Sequence, residues 1–200
     1  MKKVYRLTVL FFVFVLVSCG VKEGQGESLE LINPSEDKAT SGLKISEVDE
    51  PIHYKDLQKF LPIAIEGYEM EDPEGTALDM QGYSVSSAMA EYLNSSGGYI
   101  RISILDYNAA KSLYKTSTSM WGMGITIDSD DEYAKSFTLS NGLSGWETFE
   151  KINKKANVVI GVQDRLLITV ESNNQIDTQK SKDVIALINL DFIALVIKKD

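Results

Sequence analysis

The chain has 200 residues, 44% of them hydrophobic and 24% charged, a balance typical of a globular domain and unlike disordered or collagen-like chains. Its 20 Lys and Arg against 29 Asp and Glu leave a net charge of -9, which argues against a nucleic-acid partner. The single Cys excludes an intrachain disulfide, and the single His excludes a multi-histidine metal site.

The N-terminus carries the first signal. Lys2, Lys3 and Arg6 make a positive start, and in Leu7–Val17 only Thr8 is not apolar. That run is too short for the ~20 helical residues needed to span hydrocarbon, but it suits the apolar region of a signal peptide. It ends at Leu16-Val17-Ser18-Cys19-Gly20. The segment Leu16-Val17-Ser18-Cys19 resembles, at all four positions, the lipobox of bacterial lipoprotein precursors. The resemblance implies that the Cys19 thiol is alkylated with diacylglycerol, that residues 1–18 are removed as a signal peptide, and that the new amino group is open to acylation. Buried acyl chain stabilises membrane attachment by ~0.8 kcal/mol per CH₂; one chain holds marginally, whereas two or three make a durable anchor. The expectation is a protein held on a membrane of the bacterial cell envelope through acylated Cys19, outside the cytoplasm, on a periplasmic or outer-membrane face. Loss of three positive charges with the leader takes -9 to -12, a poor charge for lying flat on anionic lipid.

Residues 19–50 read as a flexible tether. Gly24, Gly26 and Gly42 are mixed with Ser and charged residues, and no helical or strand period persists. About 30 such residues span ~30 Å, enough to hold a domain off a bilayer. A short element at Leu29–Ile32 packing on the domain is the alternative. Lys22-Glu23 resembles, in abbreviated form, the acidic signal that in some Gram-negative lineages directs lipoproteins to the cell surface.

A single domain is expected over residues 51–200. Tyr54–Leu61 reads as a short amphipathic helix stopped by Pro62. The turn signal Asp72-Pro73-Glu74-Gly75 predicts a hairpin between Gly67–Glu71 and Thr76–Met80. Tyr83–Leu93 and Tyr99–Leu105, around Asn94–Gly98, read as a strand pair, with Ile100, Ile102 and Ile104 on one face. Ala109–Trp121 carries Ala110, Leu113, Tyr114 and Ser117 at helical spacing, with Asn108 as N-cap and Gly122 beyond, and is expected to be the main packing helix. Tyr133–Leu139, Gly145–Lys151, Asn157–Val162 and Leu166–Glu171 follow as strands, turned at Asn141-Gly142, Asn153–Ala156 and Gln163-Asp164. Thr178–Val196, with Asp177 as N-cap and Val184, Leu187, Ile188, Phe192, Leu195 and Val196 on one stripe, reads as one long helix or two shorter ones.

Tight turns between strands and single helices favour an α+β fold: an antiparallel sheet with the central helix and the C-terminal helix on its faces. The order resembles the α-β-α sandwich of PsbP-like proteins, whose members serve as binding and assembly factors. A cystatin-like sheet around one helix is the alternative.

Catalytic patterns are few. His53 is the only imidazole, so a triad or dyad base lies there or nowhere, and its plain reading is a helix-entry residue. Ser144 in Gly142-Leu143-Ser144-Gly145-Trp146 departs from the nucleophile elbow at Trp146, as expected of a tight turn. Ser112-Leu113-Tyr114-Lys115 has the Ser-x-x-Lys spacing without its companion motifs. Asp128-Ser129-Asp130-Asp131-Glu132 offers oxygen ligands for Ca²⁺ but lacks the glycine and glutamate of an EF-hand loop, so a solvated loop is preferred. Met70, Met80, Met89, Met120 and Met123 suit core gaps better than a Cu(I) site. Gly122-Met123-Gly124 follows a helix, where a phosphate cradle precedes one. Trp121 and Trp146 remain as a candidate ligand surface. No cofactor is implied. The reading is a lipid-anchored, non-enzymatic binding or envelope-assembly module with an envelope protein or small molecule as partner; an envelope hydrolase or a glycan-binding lipoprotein is the alternative.

Overall fold

The structure is a computed structural model that describes residues 50–80 and 83–197, so Cys19, the leader and the tether lie outside the described residues. Among the described residues nine strands form one sheet: β1 (Glu69–Met70), β2 (Glu74–Met80), β3 (Tyr83–Leu93), β4 (Tyr99–Asp106), β5 (Thr126–Asp128), β6 (Glu132–Thr138), β7 (Ser144–Glu150), β8 (Lys155–Val162) and β9 (Leu166–Ser172). Helices α1 (Tyr54–Leu57), α2 (Lys111–Thr118), α3 (Gln179–Ile185) and α4 (Leu190–Ile197) accompany them. The strand order is β1-β3-β4-β9-β8-β7-β6-β5, with β2 also on β3, and every pairing is antiparallel. The fold is therefore α+β, dominated by its sheet.

Two meanders make that sheet. The first runs from β1 to β4 and the second from β5 to β9, and they join where β9 pairs with β4, Ile100 opposite Ser172 and Asp106 opposite Leu166. This seam is also the centre of the core. Strict alternation in β4 and β8 sends Ile100, Ile102, Ile104, Val158 and Ile160 to one side, where register aligns them with Ile168 and Val170 of β9. Leu57, Val184, Ile185, Ile188 and Ile193 cover that side from the helices and the segment between α3 and α4. Each buried aliphatic side chain contributes ~1.5–3 kcal/mol through removal from water.

Several expectations need correction. The Asp72–Gly75 turn does not make a hairpin: β1 and β2 both run antiparallel to β3, Glu69 opposite Leu93 and Glu74 opposite Met89, as one edge strand interrupted at Pro73. Pro lacks the N–H that a continuous ladder would use, so the break falls there. In β3 the core side is the small-residue side, Ser86, Ala88 and Ala90, ending in Tyr92, whose hydroxyl donates to the Pro62 carbonyl at 2.5 Å. The first helix ends at Leu57 and continues only as a 3-10 turn, Gln58–Phe60. Asn108 does not cap α2; its backbone N–H donates to Asp106 and its amide to the Glu50 carbonyl, and Ala110 occupies the cap position. In α2 the buried side chain is Tyr114. The C-terminal stretch takes the second of its two expected forms, two helices broken at 186–189, but the buried stripe differs: Ile185 and Ile193 enter the core and Leu187 and Phe192 are left about half exposed. The cap position of α3 is Thr178 rather than Asp177, although Asp177 accepts from the Gln179 N–H at 2.8 Å. The strand β5 was not expected, and the acidic run forms its tight turn into β6.

Gly145 shows why one core position has no side chain. A Cβ there would sit 2.4 Å from the Val159 carbonyl oxygen, backbone that cannot move aside without breaking the β7–β8 pairing.

Candidate functional site

Two charged clusters sit inside the fold, and both are fully engaged. Asp106, at the end of β4, accepts from Arg165 Nε and Nη2 at 2.9 Å each, from the Ile52 N–H at 2.7 Å and from the Asn108 N–H at 2.8 Å. Both side chains are almost wholly buried, so the bidentate geometry and the extra donors offset a large desolvation cost. The pair ties the chain entry at Ile52 to the turn between β8 and β9. Glu147 of β7, also buried, accepts from Lys182 Nζ at 2.6 Å and from the Thr178 hydroxyl, with Lys135 Nζ at 3.5 Å. Burial pushes its carboxyl up, but the hydrogen bonds from Lys182 and Thr178 and the charges of Lys182 and Lys135 outweigh it and hold it below the ordinary value. These are structural clamps.

On the other side of the sheet the residues are half-exposed. Arg101 bridges Glu91 at 3.0 Å and Glu171 at 3.2 Å, Lys155 reaches Glu171 at 3.0 Å, and the Tyr99 hydroxyl donates to Glu171 at 2.7 Å. Burial and then the Glu171 bond push the Tyr99 hydroxyl well above its ordinary value. Asn157, opposite Glu171, has a buried carbonyl oxygen with no partner among the described residues.

At one end of this side lies a cleft of about 400 Å³. Its wall comes from Tyr114 and Thr118 of α2 and Trp121 of the following 3-10 turn, Trp121–Met123. Its floor is Gly161 of β8, and its rim is Gly142 and Ser144 on one side, Gln163 and Asp164 on the other. Gly161 has to be glycine, because a Cβ would stand 2.2 Å from the Tyr114 hydroxyl and 3.2 Å from the Trp121 ring. The rim turn is strained: Gln163 and Asp164 have φ of 55° and 50°, a left-handed pair closed by the Arg165 N–H on the Val162 carbonyl at 3.2 Å. Each such residue costs ~1 kcal/mol. The Arg165–Asp106 pair holds the turn in that shape and so presents both polar side chains to the cleft.

Tyr114 is the unusual group. Only 5% of the residue is exposed, its ring meets Tyr107 edge-on at 6.3 Å, and its hydroxyl stands over Gly161 at the cleft. Burial, helped by the charge of Asp164, pushes that hydroxyl up to about 12, so it stays a donor at neutral pH.

The candidate residues separate accordingly. Trp121 lines the cleft and Trp146 lies on the same side of the sheet, opposite Val159 in register; both are partly buried. Ser144 is on the cleft rim, but His53 caps α1, its Nδ1 accepting from the Lys55 N–H at 3.3 Å, and is not among the cleft residues. Ser112 and Lys115 are both exposed on α2. Asp128 of the acidic run pairs with Lys151 at 2.7 Å, and among the described residues no group of three or more acids, His or Cys is placed to hold a metal ion. Met120 and Met123 are exposed, while Met70 packs against the core. A second cleft, about 410 Å³, lies by α3 and α4, but its Lys182 is bound to Glu147 and its Asn189 caps α4. Sequence reasoning missed Tyr114, Gln163 and Asp164. The pair Gln163-Asp164 was visible only as a turn, and nothing in the sequence reports that the Tyr114 hydroxyl stands over Gly161.

In comparisons with known proteins, no family model, no curated protein and no solved structure matches this chain. Among the described residues no helix is long and apolar enough to cross a membrane.

Proposed function

We propose that this protein is a lipid-anchored, extracytoplasmic binding module of the bacterial cell envelope, carried on a membrane by acylated Cys19 and engaging a small molecule or an envelope protein without catalysing a reaction. The lipobox-like Leu16-Val17-Ser18-Cys19 behind a positive start and a short apolar run is the observation that carries the anchor. The binding role is supported by a polar cleft lined by Tyr114, Trp121, Gln163 and Asp164. In this reading the central helix α2 packs one face of the sheet through Tyr114 on Gly161, with Trp121 of the following turn beside it, and α3 and α4 pack the other, through Val184, Ile185 and Ile193. A glycan-binding lipoprotein is the second reading, favoured by the place of Trp121 in the cleft wall.

The test is mass spectrometry and membrane fractionation of the native protein. The expected mature chain begins at Cys19 with acyl groups added and sediments with membranes, whereas Cys19→Ala appears in the soluble fraction or keeps its leader. An intact Met1 and an unmodified thiol on the native protein would overturn the anchor.

A further inference from the structure

Resting on the binding-module reading, we infer that the cleft between α2 and the β8–β9 turn is a saccharide site, with Trp121 as its apolar wall and Tyr114, Gln163 and Asp164 as its hydrogen-bonding groups. A volume of about 400 Å³ falls in the ordinary range for a small-molecule site. The lining then selects the ligand. A purely apolar ligand would strip water from the hydroxyl, amide and carboxylate that line the cleft and give them no hydrogen bond in exchange, which costs free energy. An anion would meet Asp164, and no Lys or Arg is among the residues that form the cleft. A quaternary ammonium would want several aromatic faces around it, whereas Tyr114 turns its hydroxyl to Gly161 and packs its ring edge-on with Tyr107. What remains is a ligand with one apolar flank and many hydroxyls. A sugar ring has its C–H groups on one flank for an indole and its hydroxyls around the edge for amide, carboxylate and phenol.

The strongest support is the Tyr114 hydroxyl. It belongs to a residue 95% withdrawn from solvent, lies over the glycine floor and lines the cleft. A phenol held there by a packed ring offers a ligand hydroxyl a donor and an acceptor in a fixed place. The floor needs Gly161, and the rim has Gly142 at φ 85°, so a ring can approach backbone on both sides.

Binding is measured by calorimetry and tryptophan fluorescence on the full chain, purified from membranes in detergent. The probes are maltotetraose, cellotetraose and tetra-N-acetylchitotetraose, with tetramethylammonium as the cationic comparison. At least one tetrasaccharide should bind. Tyr114→Phe and Gln163→Ala should each weaken it by about three- to tenfold, Trp121→Ala should weaken it further, and Ile152→Ala, exposed and remote from the cleft lining, should leave it unchanged. Tyr114→Phe keeps the ring and its packing against Tyr107, so thermal unfolding should change little, and a variant that unfolds like the wild type but binds weakly has lost binding and not fold. No tetrasaccharide binding at millimolar concentration, binding indifferent to both Tyr114→Phe and Gln163→Ala, or selective binding of tetramethylammonium would each overturn the saccharide site. Cys19→Ala separates the two readings: it should bind the same sugar with the same affinity, because the anchor lies outside the cleft.

Discussion

The two faces of the sheet solve opposite problems with the same backbone. On one face Ile102, Ile104, Val158, Ile160 and Ile168 are fully buried, and the two charges that enter, Asp106 and Glu147, are met by Arg165, Lys182 and Thr178. On the other face the residues between them, Arg101, Glu171, Lys155 and Asn157, are half-exposed. A buried side-chain oxygen without a partner among the described residues occurs on each face, Ser86 Oγ on the inner and Asn157 Oδ1 on the outer, so the difference lies in the charges. A buried charge with every partner in place fixes the fold, while a half-exposed charge keeps much of its water and contributes little.

Breaking the inner face should give the largest effect. Arg165→Ala strands Asp106 in the core and frees the strained turn that carries Gln163 and Asp164. Urea unfolding should register a loss of about 3–5 kcal/mol, and any saccharide binding should fall with it. A loss within the range of a surface substitution would mean that water reaches Asp106 and that the pair is not a clamp.

Glu147→Gln sharpens the comparison through pH. The folded carboxyl lies below its ordinary 4.5, so its contribution is fully present above that value and is lost as pH falls through the lower folded value. The wild type should therefore lose stability steadily on acidification below about 4.5, and Glu147→Gln should be less stable at neutral pH by about 1–3 kcal/mol with a flatter acid limb. Parallel acid limbs in the two proteins would assign the acid loss to other groups.

The smallest effect is expected on the outer face. Arg101→Ala breaks two ion pairs whose side chains are 20–35% exposed, and such pairs are worth under about 1 kcal/mol. A cost matching that of Arg165→Ala would erase the distinction between the faces.

The repetitive elements were legible because their signal is local. Period-two alternation in Tyr99–Leu105 and Asn157–Val162 names both the strand and its buried face, and Asn141-Gly142 names a turn whatever surrounds it. The failures share a cause. Asp72-Pro73-Glu74-Gly75 has the chemistry of a turn, but the same chemistry interrupts an edge strand when both flanks find one partner, β3. Asn108 has the chemistry of a cap and is claimed by Asp106 and Glu50. The candidate site was half legible: aromatic content pointed to Trp121, while its companions lie on other elements.

By itself, then, the sequence determined most of the strands and turns, the α+β class and the lipobox-like segment, since each depends on residues close together in the chain. Only the tertiary structure decided that β9 closes on β4, that Arg165 is buried against Asp106 and that Tyr114 meets Gly161. Those contacts join residues 47 to 72 positions apart. Local propensity carries no information about which distant partner satisfies a charge or meets a hydroxyl; register and packing settle that when the two meanders meet.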